Sequence, residues 1–340
     1  MKALKYILFL LLIIIIGTSI YIAVQPNNYE FSRSRIIQAP ASLLFEEVND
    51  FKNWPSFSPW IEKEPNAKLT FGDVTSGVDG SYAWNGKILG EGSMKTIDAT
   101  ENKSIAQRIE FIKPFESQSN INWTFEKTNE GTKVTWGMKG EQDFMTKIYT
   151  TFMGTIEDNT GPDFERGLFK LDSVISSNMK KFSIHIDGET EYGGGFYMYK
   201  TTAATGANIS QIMGKQYGDI MSYMAKNNIV ANGMPFTIYN EMNPENGSII
   251  MSNAIPIMSK VKVEKESDII CGFIPKLKVL KTTLKGNYSN LPKAWEAAMQ
   301  HVTENNMVLS EMKPFEIYVN DPGDFPNPGD WITEIYIPIK

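Results

Sequence analysis

Between residues 196 and 340 the chain repeats itself in a fixed register. "PFTIYN", ending at Asn240, returns as "PFEIYV", ending at Val319. A single offset of 79 residues, that from Tyr239 to Tyr318, also pairs Asn208 with Asn287, Ser210 with Ser289, Asn227 with Asn306, Pro235 with Pro314, Phe236 with Phe315 and Ile238 with Ile317. "KTT" at Lys200–Thr202 comes back at Lys281–Thr283. Three further residues enter the second copy before the matching endings "AIPI" and "YIPI". A register held this long means that both copies must adopt one local fold and fit against each other. Each copy reads strand, helix, strand, strand. In the second copy Ser289 caps a helix with Pro292 in its first turn, and Trp295, Met299 and Val302 recur at helical spacing. Two such units pair about a pseudo-twofold axis, with a cleft between the helices. His301 falls off the apolar face and reads as solvated.

The other end of the chain is equally constrained. "KALKYILFLLLIIIIGTSIYIAV" carries no charge between Lys5 and Glu30. Residues 3–24 as a helix span roughly 33 Å at 1.5 Å per residue, enough for a hydrocarbon core of about 30 Å. A cleaved signal peptide is the rival reading, but its apolar region is usually shorter and no clear small-x-small cleavage site follows Ile16. Lys2 and Lys5 before the span favour an inside N-terminus, and Arg33 and Arg35 soon after it oppose that. The expectation is a single-pass membrane protein with extracytoplasmic soluble domains.

With 340 residues the chain is long enough for two domains. Its net charge of −6 comes without a basic block, which argues against a nucleic-acid partner. Cys271 is the single cysteine, so no internal disulfide forms. His185 and His301 are the two histidines. A metal cluster or a Cys/His nucleophilic pair is therefore not expected, and no cofactor is implied.

Between these features lie a first strand ending at Pro40 and a helix from "PASLLFEEV" with Ser42 as its cap. A run of short alternating segments with Gly and Asn-Glu-Gly turns follows. A long helix, "DNTGPDFERGLFKLDSVISSNMKKF", closes the region, with Phe164, Leu168, Leu171 and Ile175 on one stripe. The order strand, helix, antiparallel meander, long helix, with "IIQAPASLLFEEVNDFKNWPSFSPW", "GSYAWNG", "IEFIKPF", "GTKVTWGM" and "FERGLFKLDSV", resembles the START-like polyketide cyclase/dehydrase superfamily. That resemblance implies a curved sheet gripping a long helix around a cavity, for which Trp60, Trp84 and Phe111 are lining candidates. Core packing is the alternative role for such large apolar residues.

The second half resembles the gyrase-inhibitor-like domain, the effector-binding domain of multidrug-responsive transcription activators. The ending "DWITEIYIPIK" and the duplicated "PFxIY" carry that likeness. It implies a duplicated α+β fold with a central pocket for small, often aromatic or cationic, molecules, and an acidic pocket residue near the last strand. The activators' DNA-binding helices are not found here. Glu334 matches the acidic position. In "WITEIYIPI" a strand sets Ile332, Glu334 and Tyr336 on one face and Trp331, Thr333 and Ile335 on the other, and the first copy has Ser252 and Ala254 where Glu334 and Tyr336 stand. A carboxylate on an apolar strand needs a partner. Tyr336, Tyr318, Tyr239 and Trp295 are the accompanying ligand-binding candidates, with hairpin packing as the alternative for the two central tyrosines.

The fold expected is α+β: a transmembrane helix, a helix-grip START-like domain, then a duplicated strand-helix-strand-strand effector-binding domain. The expected boundaries are 1–28 for anchor and linker, 29–182, and 183–340, with repeats at about 196–258 and 276–340. A linker is expected over 181–196. The function expected is membrane-anchored binding of small hydrophobic or cationic molecules by two cavity domains. The alternative is a hydrolase of a reactive small molecule with Glu334 as general base and Tyr336 or Tyr318 as hydrogen-bond donor.

Overall fold

The structure is a computed structural model and describes residues 2–206, 208–243, 246–264, 266–320 and 322–340, with side chains from residue 4 onward. It divides into two compact units, Met1–Ser177 and Asn178–Lys340.

The first unit opens with α1 (Lys2–Ala23), followed by β1 (Asn28–Ile37), α2 (Ala41–Asn49) and the short helices α3 (Trp54–Phe57) and α4 (Pro59–Lys63). Six strands continue the chain: β2 (Lys68–Phe71), β3 (Ser81–Asn85), β4 (Glu91–Thr100), β5 (Ser104–Lys113), β6 (Ser117–Thr128) and β7 (Gly131–Glu141). Then come α5 (Phe144–Met153) and the long α6 (Ile156–Lys180). The strands form one antiparallel sheet in the order β1-β7-β6-β5-β4-β3-β2. Leu4–Ala23 of α1 is long and apolar enough to cross a bilayer, a property that signal sequences share.

Alternation builds this unit's core. Ile121, Trp123 and Phe125 on β6 and Val134, Trp136 and Met138 on β7 point inward and are buried. The α6 stripe of Phe164, Leu168, Leu171 and Ile175 meets them, and all four are buried. Trp136 stacks on Phe164 at 4.1 Å and on Trp123 at 4.3 Å between ring centroids. Gly167 allows α6 this close: a Cβ there would sit 2.6 Å from Trp136 Cζ3. The N-cap of α2 is Pro40, without a side-chain bond, so Ser42 lies inside the helix rather than capping it.

The second unit contains β8 (Ser183–Tyr192), β9 (Gly195–Thr205), α7 (Ile209–Lys226), β10 (Phe236–Asn243), β11 (Ser248–Ile257), β12 (Ile270–Ile274), β13 (Leu277–Lys285), α8 (Leu291–Glu304), β14 (Phe315–Tyr318) and β15 (Ile332–Pro338). Its antiparallel sheet runs β12-β9-β11-β10-β14-β15-β13-β8. The order is a palindrome about the β10–β14 pair, with strand, helix, strand, strand on each side. Ile220 and Met224 of α7 pack on Met198, Ile255 and Ile257. Ala294, Ala298 and Val302 of α8 pack on Leu280, Leu284, Ile335 and Ile337. The opposite face of the sheet buries Phe236, Ala254, Val279, Phe315 and Tyr336.

Four local expectations change. The segment expected as a linker is largely strand β8, held on β13. Its Ile184 and Ile186 pack on the α8 core, a short alternation hidden among charges and glycines. The N-cap of α8 is Asn290, and Ser289 sits in the preceding turn, where its N–H donates to Asn287 Oδ1. The buried stripe of α8 is Ala294, Ala298 and Val302, while Met299 is exposed. Finally, the sheet register pairs Thr201 with Ser252 and Thr283 with Glu334. Thr201 thus corresponds to Thr283, and the two "KTT" triplets are one residue out of step. One step reverses the face: Lys200 reaches Asp219 of α7, whereas Lys281 reaches Glu334 on the face away from the helices.

Candidate functional site

The β10–β14 pair places the two copies of the repeated phrase side by side. Phe236 pairs with Ile317, Thr237 with Glu316 and Ile238 with Phe315. The phenylalanines and isoleucines face the cluster opposite the helices. Alternation therefore sends Thr237, Tyr239, Glu316 and Tyr318 to the helix side. Glu316 and Thr237, equivalent positions in the two copies, meet across the centre of the palindrome.

Glu316 is 1% exposed. Its Oε2 accepts hydrogen bonds from Tyr239 (2.8 Å) and Tyr318 (2.9 Å), and its Oε1 accepts one from Trp295 Nε1 on α8. A second chain of bonds supports this first layer from α7. Tyr217 Oη lies 2.9 Å from Thr237 Oγ1, Thr237 Oγ1 donates to Asn253 Oδ1 (2.8 Å), and Asn253 Nδ2 donates to Gln216 Oε1 (2.7 Å). Edge-on ring contacts of Tyr239 with Trp295, and of Tyr217 and Tyr288 with Tyr318, complete an aromatic surround.

Every partner of the carboxylate named here is neutral, and no ion pair to Glu316 is found among the described residues. Burial pushes its pKa up, against the pull of the three donors. Burial likewise holds the phenols of Tyr239 and Tyr318 well above the usual tyrosine range, with the Glu316 charge adding to it. Both hydroxyls therefore stay protonated and act as donors. A desolvated carboxylate held only by neutral donors is costly to keep ionised.

Of the residues expected at a ligand site, Tyr239, Tyr318 and Trp295 converge here. Glu334 and Tyr336 do not. Glu334 lies on the opposite face, with Oε1 2.7 Å from Lys281 Nζ and Oε2 accepting from Tyr336 Oη at 2.6 Å. Its charge is balanced within the chain. Glu316 escaped the sequence reading although its signal was in the repeat: it is the residue at which "PFEIY" departs from "PFTIY".

In the first unit Trp60, Trp84 and Phe111 share the lining of one cavity with Tyr82 and Ile109. Its volume is about 60 Å³, far below the roughly 300–1,000 Å³ of drug-sized ligand pockets. Trp60 Nε1 is tied to Asp163 and Trp84 Nε1 to the Leu89 carbonyl. The stacked rings of Trp123, Trp136 and Phe164 occupy the space between the sheet and α6.

Comparison with known proteins begins with residues 37–169, which match the model for polyketide cyclase / dehydrase and lipid transport proteins. A Streptomyces cyaneus protein named "Putative polyketide cyclase" is 33% identical over 112 residues, 33% of this chain and 69% of that protein. The chain belongs to the polyketide cyclase / dehydrase family. After the cyclase-family domain, residues 196–340 match the model for the GyrI-like small molecule binding domain, so the chain joins two domains of small-molecule families. Among solved structures, the EcmrR C-terminal domain is 20% identical, covering 47% of this chain and 98% of that one with a TM-score of 0.39. An EcmrR–DNA complex covers 58% and 78% at 17% identity and a TM-score of 0.41. Protein MLL2253 from Mesorhizobium loti covers 44% and 98% at 15% identity and 0.31.

Proposed function

We propose that this chain is a membrane-anchored receptor for a small, flat organic cation, held in the GyrI-like domain against Glu316. One observation carries the reading: a carboxylate at 1% exposure whose hydrogen-bond partners are all neutral. Such a group is costly to keep ionised in the empty protein, and a bound cation offsets that cost. Tyr239 and Trp295 close over it and must shift to admit the ligand. The palindromic sheet and the 79-residue register support an origin by duplication, with Glu316 in one copy against Thr237 in the other as the divergence that makes the site one-sided. Helix α1 is the anchor in this reading, with the domain boundaries at about residues 28 and 182.

Glu316→Gln keeps the shape and removes the charge. Titration calorimetry with matched cationic and neutral aromatic dyes tests the reading. A charge-assisted contact is worth roughly 1.5–3 kcal/mol, so the cationic dye weakens about 10- to 150-fold and the neutral dye hardly changes. Equal weakening of both dyes refutes a cation site.

A hydrolase is the second reading. The upward-shifted carboxyl of Glu316, which has only neutral partners, is better suited to general acid–base work than Glu334, which is ion-paired with Lys281. Turnover of a reactive ligand that Glu316→Gln still binds but no longer converts would select it.

A further inference from the structure

The register of the first sheet shows which loops share an end. Asn28 pairs with Glu141, Gly140 with Ser119, Ser117 with Phe111, Lys113 with Glu91 and Glu91 with Asn85. One end of the sheet therefore carries the entry from α1, the exit to α5, the β5–β6 turn and the β3–β4 turn. The most exposed apolar side chains gather there. Among the described residues of this unit beyond α1 and Val24, those more than 60% exposed are Ile88, Phe115, Met145, Phe152 and Met153. Ile88 is on the β3–β4 turn, Phe115 on the β5–β6 turn, and the other three on α5. At the opposite end two turns are polar, with Asn102 and Lys103 on one and Asn129 and Glu130 on the other, and the β2–β3 connection exposes Val74 and Val78 about half.

Helix α5 is amphipathic in a way that its own unit does not use. Asp143 caps it by accepting from the Thr146 N–H. Met145, Tyr149, Phe152 and Met153 form an exposed apolar stripe at helical spacing. The other side holds the last turn of α1: Lys147 Nζ donates to the Gln25 and Ala23 carbonyls, and Ile22 is buried. Thus α5 is fixed at the depth where α1 ends.

We infer that this end of the first domain, α5 together with the Phe115 and Ile88 turns, rests in the headgroup–acyl boundary of a lipid bilayer. The occupant follows from continuity, since the patch adjoins the last turn of the apolar helix. The inference rests on the reading of α1 as an anchor and extends it: the anchor becomes a clamp that fixes the domain's orientation. Interfacial helices bury one apolar face about 5–10 Å deep, and aromatic residues favour that level. The nearby Lys113 is paired with Glu91, so attachment is expected on neutral lipid too.

The test uses the full chain in phosphatidylcholine nanodiscs, in a Cys271→Ser background. Spin labels are placed singly by Leu12→Cys, Phe115→Cys, Glu130→Cys and Phe152→Cys, all exposed positions. Collision rates with oxygen and with a water-soluble nickel chelate report depth. The oxygen-to-nickel ratio at 115 and 152 is expected severalfold above that at 130 and nearer that at 12. Ratios at 115 and 152 equal to that at 130, with 12 lipid-embedded, overturn the docking face and leave the anchor standing. A water-like ratio at 12 overturns the anchor reading, and the docking face falls with it.

Discussion

Both units lay helices on an antiparallel sheet, yet they fill the space between in opposite ways. The first places stacked Trp123, Trp136 and Phe164 there and keeps about 60 Å³ open. The second places a carboxylate there, at the seam of its two halves, and surrounds it with hydroxyl and indole donors. Carbon packed against carbon leaves no polar group there to satisfy. A buried carboxylate without a counter-charge is costly to keep ionised, even with three donors on it. The two interiors thus differ in kind: one is a stack of aromatic rings, the other a hydrogen-bonded carboxylate.

The strongest way to break this contrast is to open the packed core. Trp136→Ala removes the ring that joins Trp123 to Phe164. Buried Trp→Ala changes cost about 3–5 kcal/mol, so urea should unfold the first unit at much lower concentration. Tryptophan emission follows it well, because Trp54, Trp60, Trp84, Trp123 and Trp136 lie in this unit against Trp295 and Trp331 in the other. Little loss of stability, with binding of an apolar dye, would mean that the stack is a plug that ligands displace.

A smaller effect should appear at Glu316. Its pKa is raised in the folded state by burial. The protonated form therefore stabilises the fold below the unfolded carboxyl's titration near pH 4.5, and that stability is lost as pH rises through the folded value. Glu316→Gln escapes the loss. Its melting temperature should exceed the parent's by a few degrees at pH 7, and the gap should close near pH 4. A mutant that melts lower than the parent at pH 7 would mean that the three donors make the ionised carboxylate a net stabiliser despite its burial.

Much of this architecture was legible in residue order. The α6 stripe, the cross-strand alternation and the 79-residue register are periodic signals, and periodicity survives in a single chain. Tyr239, Tyr318 and Trp295, which bond to Glu316, were singled out from the sequence too, as residues in and near the repeat. The carboxylate they surround was not. Glu334 and Glu316 both lie on short apolar strands, and both alternations read alike. What separates them is which face the helices cover and where Lys281 points, and both depend on pairing between strands distant in sequence. The "KTT" match compounded this, since aligning Lys200 with Lys281 puts them on one face when the register puts them on opposite faces.

The finest contrast is between these two glutamates, and Glu334 supplies the last prediction. Its side chain is 20% exposed and that of Lys281 26%, with Nζ–Oε1 at 2.7 Å. Lys281 Nζ also lies 5.9 Å from the centre of the Tyr336 ring, while Tyr336 donates to the free carboxylate oxygen. Each charge already has its partner, so an organic cation gains nothing there that Lys281 does not supply. Ion pairs with solvent access couple by about 0.2–1 kcal/mol, and this pair, partly shielded and bonded by Tyr336, belongs at the upper end. A cycle of Glu334→Gln, Lys281→Met and the double mutant, followed by urea unfolding, should give a coupling near 1 kcal/mol. Affinity for the cationic dye should remain at the parent value in Glu334→Gln. The informative failure is Lys281→Met. If it leaves stability unchanged and raises affinity for the cationic dye, Glu334 is a second cation site that the lysine occupies in the resting protein, and the two faces of the sheet do the same chemistry.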